Sequence, residues 1–543
     1  MSKRRAGWGS RSHRRVRLAL VAALGISLPL RAIAQSLPPP AEVVPPEPPH
    51  EVPPPEVSPP EAPPPEAALP ETPSSPAVVE SPPPPPPPGN PPAPVAAPGA
   101  TPPVPPSEPL AGFSDGTPFL RSPDGGFVVF PGGRLQTDGY FFRSKDKTPN
   151  ETILLRSARL ELSGWIGGFV FFSITGEFAA APPAAAAPVA PANLITNDDY
   201  VAIAPWKNLA ILQVGQFDAP FTLENRTSSK YLDFMERSIT VRAFGIPDNK
   251  EMGAMLHGYN DDRNFHYSIG AFNGDGQNFK NADSHFDWMG RAWIAPLSFV
   301  GSGPLHDVEI GASFWTGDRG NTLAPSAQTT QGGFTFFNTA AFTATPTGAT
   351  AAESVQLRQV GRLNAFAGEL NAPLAHRYGV RGELVWKHSP LSEESIAASG
   401  VGTILGGAEL RGYSMYGEAW VWLLGDDRII GDQQGLGAFP RYQRFGVKPV
   451  QDGVMVAVRY EHLDEDLTEY SNTSALKLGN KSLGKTKVDS AELGVNYWHS
   501  KRFRATANYV LNHIGGTAPF VTNPMTLPSA YEQELLFRLG IAL

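Results

Sequence analysis

From residue 113 onward the chain repeats one pattern, segments of about ten residues in which apolar and polar side chains alternate. Alternation with period two is what a strand with two unlike faces requires. In 153–164, Ala158, Leu160 and Leu162 share one face, while Ser157, Arg159, Glu161 and Ser163 share the other. The last segment alternates Leu535, Phe537, Leu539, Ile541 and Leu543 against Glu534, Arg538 and small residues. Sixteen such segments can be counted: 132–142, 153–164, 169–178, 197–204, 209–216, 251–258, 264–273, 286–294, 307–316, 361–370, 378–387, 409–424, 453–462, 489–498, 502–511 and 532–543. No run of 18 apolar residues follows the N-terminal region, so helices could not carry this chain across a bilayer. Strands meeting lipid can satisfy their backbone groups only by closing into a barrel. The expected fold is therefore all-β, a 16-stranded antiparallel transmembrane β-barrel, and the even count suits it.

Connection lengths test this independently. Short turns are expected at 165–168, 205–208, 259–263, 371–377 and 499–501, and long loops at 217–250, 317–360 and 463–488. Two connections on the turn side are too long, 295–306 and especially 425–452. Either the second folds into the lumen or the count fails there. Tyr140, Trp165, Trp206, Trp386 and Trp498 lie near strand ends, where interface girdles are expected. The competing reading is a soluble β-sandwich or solenoid, which alternation alone does not exclude.

The residues before 113 are of another kind. A basic stretch from Lys3 to Arg17, an apolar core Leu18–Leu30 and Ala32-Ile33-Ala34 before Gln35 read as a signal peptide over 1–34. Residues 38–106 hold 33 of the 57 prolines. Proline fixes φ and removes the backbone donor, so 35–112 is expected to be an acidic, disordered, extended linker. The barrel domain is then 113–543. Residues 109–543 carry 36 basic and 43 acidic residues, a balance that gives nucleic acid no basic face. With no cysteine there is neither a disulfide framework nor a Cys-ligated metal site.

Residues 215–244, beginning Gly-Gln-Phe-Asp-Ala-Pro-Phe and running through Thr227-Ser228-Ser229-Lys230 to Phe234-Met235-Glu236-Arg237, resemble a block of the phosphate-selective porin O and P family. Gly133–Gln136, Arg156–Leu160, Gly176–Phe178, Arg459-Tyr460 with Asp464, and Asn508–Val510 resemble further blocks in the same order. One departure is Leu543 at the end, where such barrels usually have Phe. The resemblance covers roughly 113–543. It implies an outer-membrane porin, a passive diffusion channel for small hydrophilic solutes that favours phosphate or other anions. It also implies a homotrimer in outer-membrane lipid with loops folded inward at a constriction. The loop at about 217–250 is the first candidate for that role, with Lys230, Arg237 and Arg242 as constriction candidates.

Polar faces taken strand by strand put Arg134, Arg159, Arg291, Arg381, Lys387, Arg459, Arg504 and Arg538 inside. The same faces carry Asp138, Glu161, Glu177, Glu309, Glu383, Glu461, Glu492 and Glu534. The arginines are the anion-contact candidates, because a guanidinium stays charged and donates two parallel hydrogen bonds to an oxyanion. Three have an acid two residues on, Arg159/Glu161, Arg381/Glu383 and Arg459/Glu461, and these read equally as structural wall pairs. Arg134, Arg291 and Arg504 have no acid two residues away on either side and read as the free ones. No HExxH pattern appears, and no enzyme, cofactor or metal site is expected. The alternative function is a structural envelope protein, its barrel an anchor and its proline-rich arm a tether for a periplasmic partner.

Overall fold

A computed structural model of the chain describes residues 108–543 apart from 115–116, 145–149, 180–194, 301–302, 321–322, 324, 338–341, 345–352, 396–403, 432–434, 444–449, 470–481 and 517–529. The expected signal peptide and nearly all of the linker lie outside the described residues. Sixteen antiparallel strands form the wall: β1 Phe127–Ser144, β2 Thr152–Ile166, β3 Val170–Glu177, β4 Asp199–Ile203, β5 Ile211–Asp218, β6 Lys250–Tyr259, β7 Phe265–Phe272 and β8 Asp287–Ile294 come first. They continue as β9 Glu309–Gly320, β10 Glu353–Leu374, β11 Tyr378–Ser395, β12 Ile404–Leu424, β13 Gln451–Glu469, β14 Ser482–Ser500, β15 Phe503–Gly516 and β16 Ala530–Ala542. Each pairs with the next, and β16 returns to β1 from Glu532↔Ser144 to Ala542↔Arg134, which closes the barrel.

Every expected segment coincides with one strand, but the later strands are longer than their alternation suggested. β13 runs to Glu469 and β14 starts at Ser482. Their outer ends carry Lys485 against Asp466 and Lys487 against Asp464, so the ladder continues where the apolar stripe has stopped. The wall is uneven in height. β3–β8 have 5 to 10 residues each, and β10–β14 have 18 to 22. One rim is joined by short turns. Gly167 (φ 61°) and Gly168 (φ 74°) take the left-handed backbone that the tight β2–β3 turn needs.

Outward side chains are apolar and exposed, among them Leu160, Ile174, Val214, Leu384, Leu493 and Leu539. Charged and amide side chains such as Asp138, Glu383, Arg459 and Asn496 point inward and are buried. This inverts a soluble sandwich and is the arrangement of a transmembrane barrel wall. Two expectations need correction. Of the five proposed girdle aromatics, Trp206 and Trp386 face out, but Tyr140, Trp165 and Trp498 are buried inside. The interior is also not simply polar and wet. Three segments fold into it: 219–249 with helices α1 Leu223–Arg226 and α2 Ile239–Phe244, the hairpin 328–337, and 435–443 from the overlong turn connection. They bury Phe221, Phe244, Phe336 and Leu436 against inward Met255, Phe272, Trp315 and Trp293.

Candidate permeation site

The wall acids determine how 219–249 is seated. Glu383 on β11 accepts hydrogen bonds from the Leu223 and Glu224 amides (2.7 and 2.9 Å), satisfying the open N-terminus of α1. Glu461 on β13 accepts from the Ile239 amide (2.8 Å) at the start of α2, where Ser238 Oγ caps Val241. Glu224 in turn accepts from the Ser238 amide and hydroxyl, tying the two helices together. Two of the eight expected luminal acids therefore cap the helices of the segment.

All seven candidate arginines lie on inward faces, and most have partners that same-strand spacing does not reveal. Only Arg459 pairs with the acid two residues on, and it also reaches Glu224 (3.2 Å) and Glu492 (2.7 Å). Arg159 pairs with Glu177 (3.1 Å) across the β2–β3 ladder, and Arg381 with Asp233 (3.0 Å) and Glu418 (2.6 Å). Arg538 holds Asp138 (2.6 Å) and Glu236 (2.9 Å). Arg291 is not free as expected. It reaches over β9 to Glu369 on β10 (2.8 Å) and donates to the Gly435 carbonyl (2.6 Å). Glu369 and Glu418 were absent from the expected acids, although their own alternation places them inside. Lys387 lies 4.8 Å from the Trp315 ring centre.

Arg156 is an inward residue that strict alternation with Ala158 and Leu160 would turn outward. The β1–β2 register jumps from Gln136↔Ser157 to Thr137↔Leu155, leaving Arg156 as an extra residue. Such a bulge reverses the facing of every residue beyond it. Arg156 thus turns inward to Glu236 (3.3 Å), which also meets Arg538. Burial opposes the Glu236 charge, but Arg156, Arg538 and Arg242 outweigh it and hold the carboxyl at about 2.

The constriction candidates separate into different roles. Arg237 donates to the carbonyls of Glu224 (3.1 Å) and Thr227 (2.8 Å) and staples its own segment. Arg242 donates to Thr330 O and Thr329 Oγ1 (both 2.5 Å), joining the first inserted segment to the hairpin. Lys230 pairs with Glu161 (2.6 Å), and its ammonium is pulled below the usual lysine range by burial.

Lys230 also lines a pocket near the turn rim with Lys501, Arg502, Arg504, Arg538 and Gln136. Five of its lining side chains are basic and none is acidic. Arg504 donates to Asn496 Oδ1 (2.5 Å) and the Lys230 carbonyl (3.4 Å), and lies 4.7 Å from the Trp498 ring centre. It has no carboxylate within ion-pair distance among the described residues, so its charge is turned toward the pocket. Arg134, its neighbour around the rim, meets Glu161 only at 3.7 Å and donates to Ser229 Oγ (2.6 Å). Among the described residues no group of three or more His, Asp or Glu could hold a metal ion.

A closed, lipid-facing barrel with loops folded into its lumen and a cationic pocket at one mouth is a channel-type architecture. In agreement, residues 131–329 match the model of the family described as phosphate-selective porin O and P. No curated protein matches the chain. Among solved structures, the chain is similar to the outer-membrane protein OmpT of Vibrio cholerae in its trimer form, at 12% identity over 76% of this chain and 99% of that one, with a TM-score of 0.44. It is also similar to the outer membrane channel DcaP of Acinetobacter baumannii, at 10% identity over 78% and 99%, with a TM-score of 0.42. Salmonella typhi OmpF in complex with daunomycin is similar at 9% identity over 77% and 98%, with a TM-score of 0.40.

Proposed function

We propose that this chain is an outer-membrane porin, with its turn rim in the periplasm, that passes small hydrophilic solutes and favours phosphate or other small anions. The observation that carries the reading is the pocket of Lys230, Lys501, Arg502, Arg504 and Arg538, which has no acid in its lining. The described barrel residues are net acidic in composition, so preference arises from local arrangement. Most wall arginines elsewhere in the lumen pair with carboxylates. At the pocket Lys230 and Arg538 keep such partners, but Arg504 has none among the described residues, and an anion that sheds water beside it gains donors from a lining without acids. A site of this kind must also release its ion, and the open rim supplies that exit.

The lumen arginines Arg134 and Arg504 are the residues we assign to anion contact, with Lys230 beside them on the inserted segment. Association as a homotrimer in the outer membrane belongs to the same proposal. The test is the reversal potential of the purified protein in a planar bilayer under a salt gradient, with chloride and then phosphate. The reading requires anion preference, and a fall in that preference for Arg504→Gln. Cation preference in the unaltered protein, or an unchanged reversal potential in the variant, would overturn it.

A further inference from the structure

Among the described residues, two buried histidines have no hydrogen-bond partner. His257 on β6 and His266 on β7 are both 0% exposed, and no ring nitrogen of either makes a hydrogen bond among the described residues. Buried imidazoles ordinarily bond through at least one nitrogen. The two rings lie 6.4 Å apart. Segment 435–443 closes over them, with Phe439 edge-on to His257 at 5.8 Å, while Trp293 stacks on His266 at 5.9 Å. Ile211, Tyr259 and Leu436 belong to the same apolar cluster, with Tyr200 at its edge.

The charges acting on the pair are Arg226, from the first inserted segment, and Arg291, from β8. Glu369 on β10 is already engaged by Arg291 through three hydrogen bonds. The segment's own Arg441 lies 4.0 Å from the Trp165 ring centre and donates to Asn208. Arg291 also donates to the Gly435 carbonyl (2.6 Å), and Arg121 lies 4.7 Å from the Tyr442 ring centre. Further attachments of the segment are neutral. Trp165 Nε1 donates to the Pro440 carbonyl (2.7 Å), the Gln443 amide donates to Ser114 Oγ (2.9 Å), and Phe439 stacks on Phe171 at 4.3 Å.

We propose that His257 and His266 form a proton-operated latch beneath 435–443, so that acid releases the segment from the turn rim and widens the passage. The conductance consequence rests on the channel reading above; the release itself does not. A proton on either ring adds a cation beside two arginines, at a place where no ring nitrogen has a hydrogen-bond partner among the described residues. Water can reach the ring only if Phe439 and Leu436 withdraw. In the released state the rings titrate near the ordinary histidine value of about 6.5. Linkage then favours release by about 25-fold per ring between pH 7 and pH 5, and by on the order of 600-fold for both.

The experiment is amide hydrogen exchange of 435–443 in the full chain at pH 7 and pH 5, corrected for intrinsic rates, with bilayer conductance alongside. The expected result is a loss of protection of at least about 25-fold at pH 5, with conductance rising in parallel. His257→Phe/His266→Phe fills the space without a titratable group and should abolish the acid response. If the double variant does not assemble, each single variant decides the matter by losing part of the response. Equal protection at both pH values overturns the latch, as does an acid response that survives both substitutions. If protection falls but the protein conducts at no pH, the channel reading fails and the latch stands.

Discussion

Glu236→Gln probes what holds the largest inserted segment in place. Glu236 accepts from Arg156 (3.3 Å), Arg538 (2.9 Å) and the Tyr140 hydroxyl (3.4 Å). Its carboxyl is displaced from 4.5 to about 2. At 1.36 kcal/mol per pH unit this corresponds to about 3 kcal/mol, or about 300-fold in the opening equilibrium of 219–249. Because the value in the closed segment is depressed, the contribution is complete above about pH 4.5 and drains away as pH falls through about 2. By the same linkage the ratio is about tenfold at pH 3. Arg156 is 36% exposed, so solvent screening makes 300-fold a ceiling. Amide exchange over 219–249 should show the variant less protected than the parent by up to that factor at pH 7, with the gap narrowing toward pH 3. Equal protection at pH 7, or a deficit that stays constant down to pH 3, would refute the reasoning.

Other substitutions test other contacts. Glu369→Gln strands Arg291, which is 2% exposed, and should cost about 3–5 kcal/mol in detergent-based urea unfolding. Replacing both partners, as in Arg291→Met/Glu369→Leu, should recover most of that loss, and failure to do so would show that the pair contributes more than mutual neutralisation. A Cβ at Gly317 would run into the Asp287 carboxylate, which already accepts from Trp315 Nε1 (2.6 Å) and Arg319 (2.6 Å). Gly317→Ala should therefore lower the unfolding midpoint by the equivalent of at least about 3 kcal/mol, and an unchanged midpoint would exclude the clash. Leu436→Asp places an acid in the closed seat of 435–443 and should expose that segment's amides to exchange already at neutral pH.

The strand order was readable because lipid and lumen impose opposite chemistry on alternate residues, and sixteen repetitions of that contrast survive local noise. What lay inside was less readable, for three physical reasons. Ion-pair partners are chosen across strands, so Arg291 finds Glu369 two strands away while spacing along β8 shows nothing. A single extra residue at Arg156 reverses facing, and alternation carries no mark of it. Inward Met255, Phe272 and Trp315 interrupt the polar face because inserted segments cover them. Strands apolar on both faces could have signalled a packed interior. The overlong connection 425–452 was itself a usable clue, since a turn with so many residues had to go somewhere, and 435–443 goes inward.

The unequal strand lengths bear on how solutes arrive. With a rise of about 3.3 Å per residue and a tilt of about 40°, β10–β14 stand roughly 45–55 Å tall and β3–β8 only roughly 13–25 Å, against an apolar band of about 25 Å. The mouth is thus cut obliquely, like a chimney with one side left as a parapet. A bulky label fixed to Lys485 or Lys487, on the outside of that parapet, would sit in the lee of the wall and leave traffic over the opposite lip undisturbed.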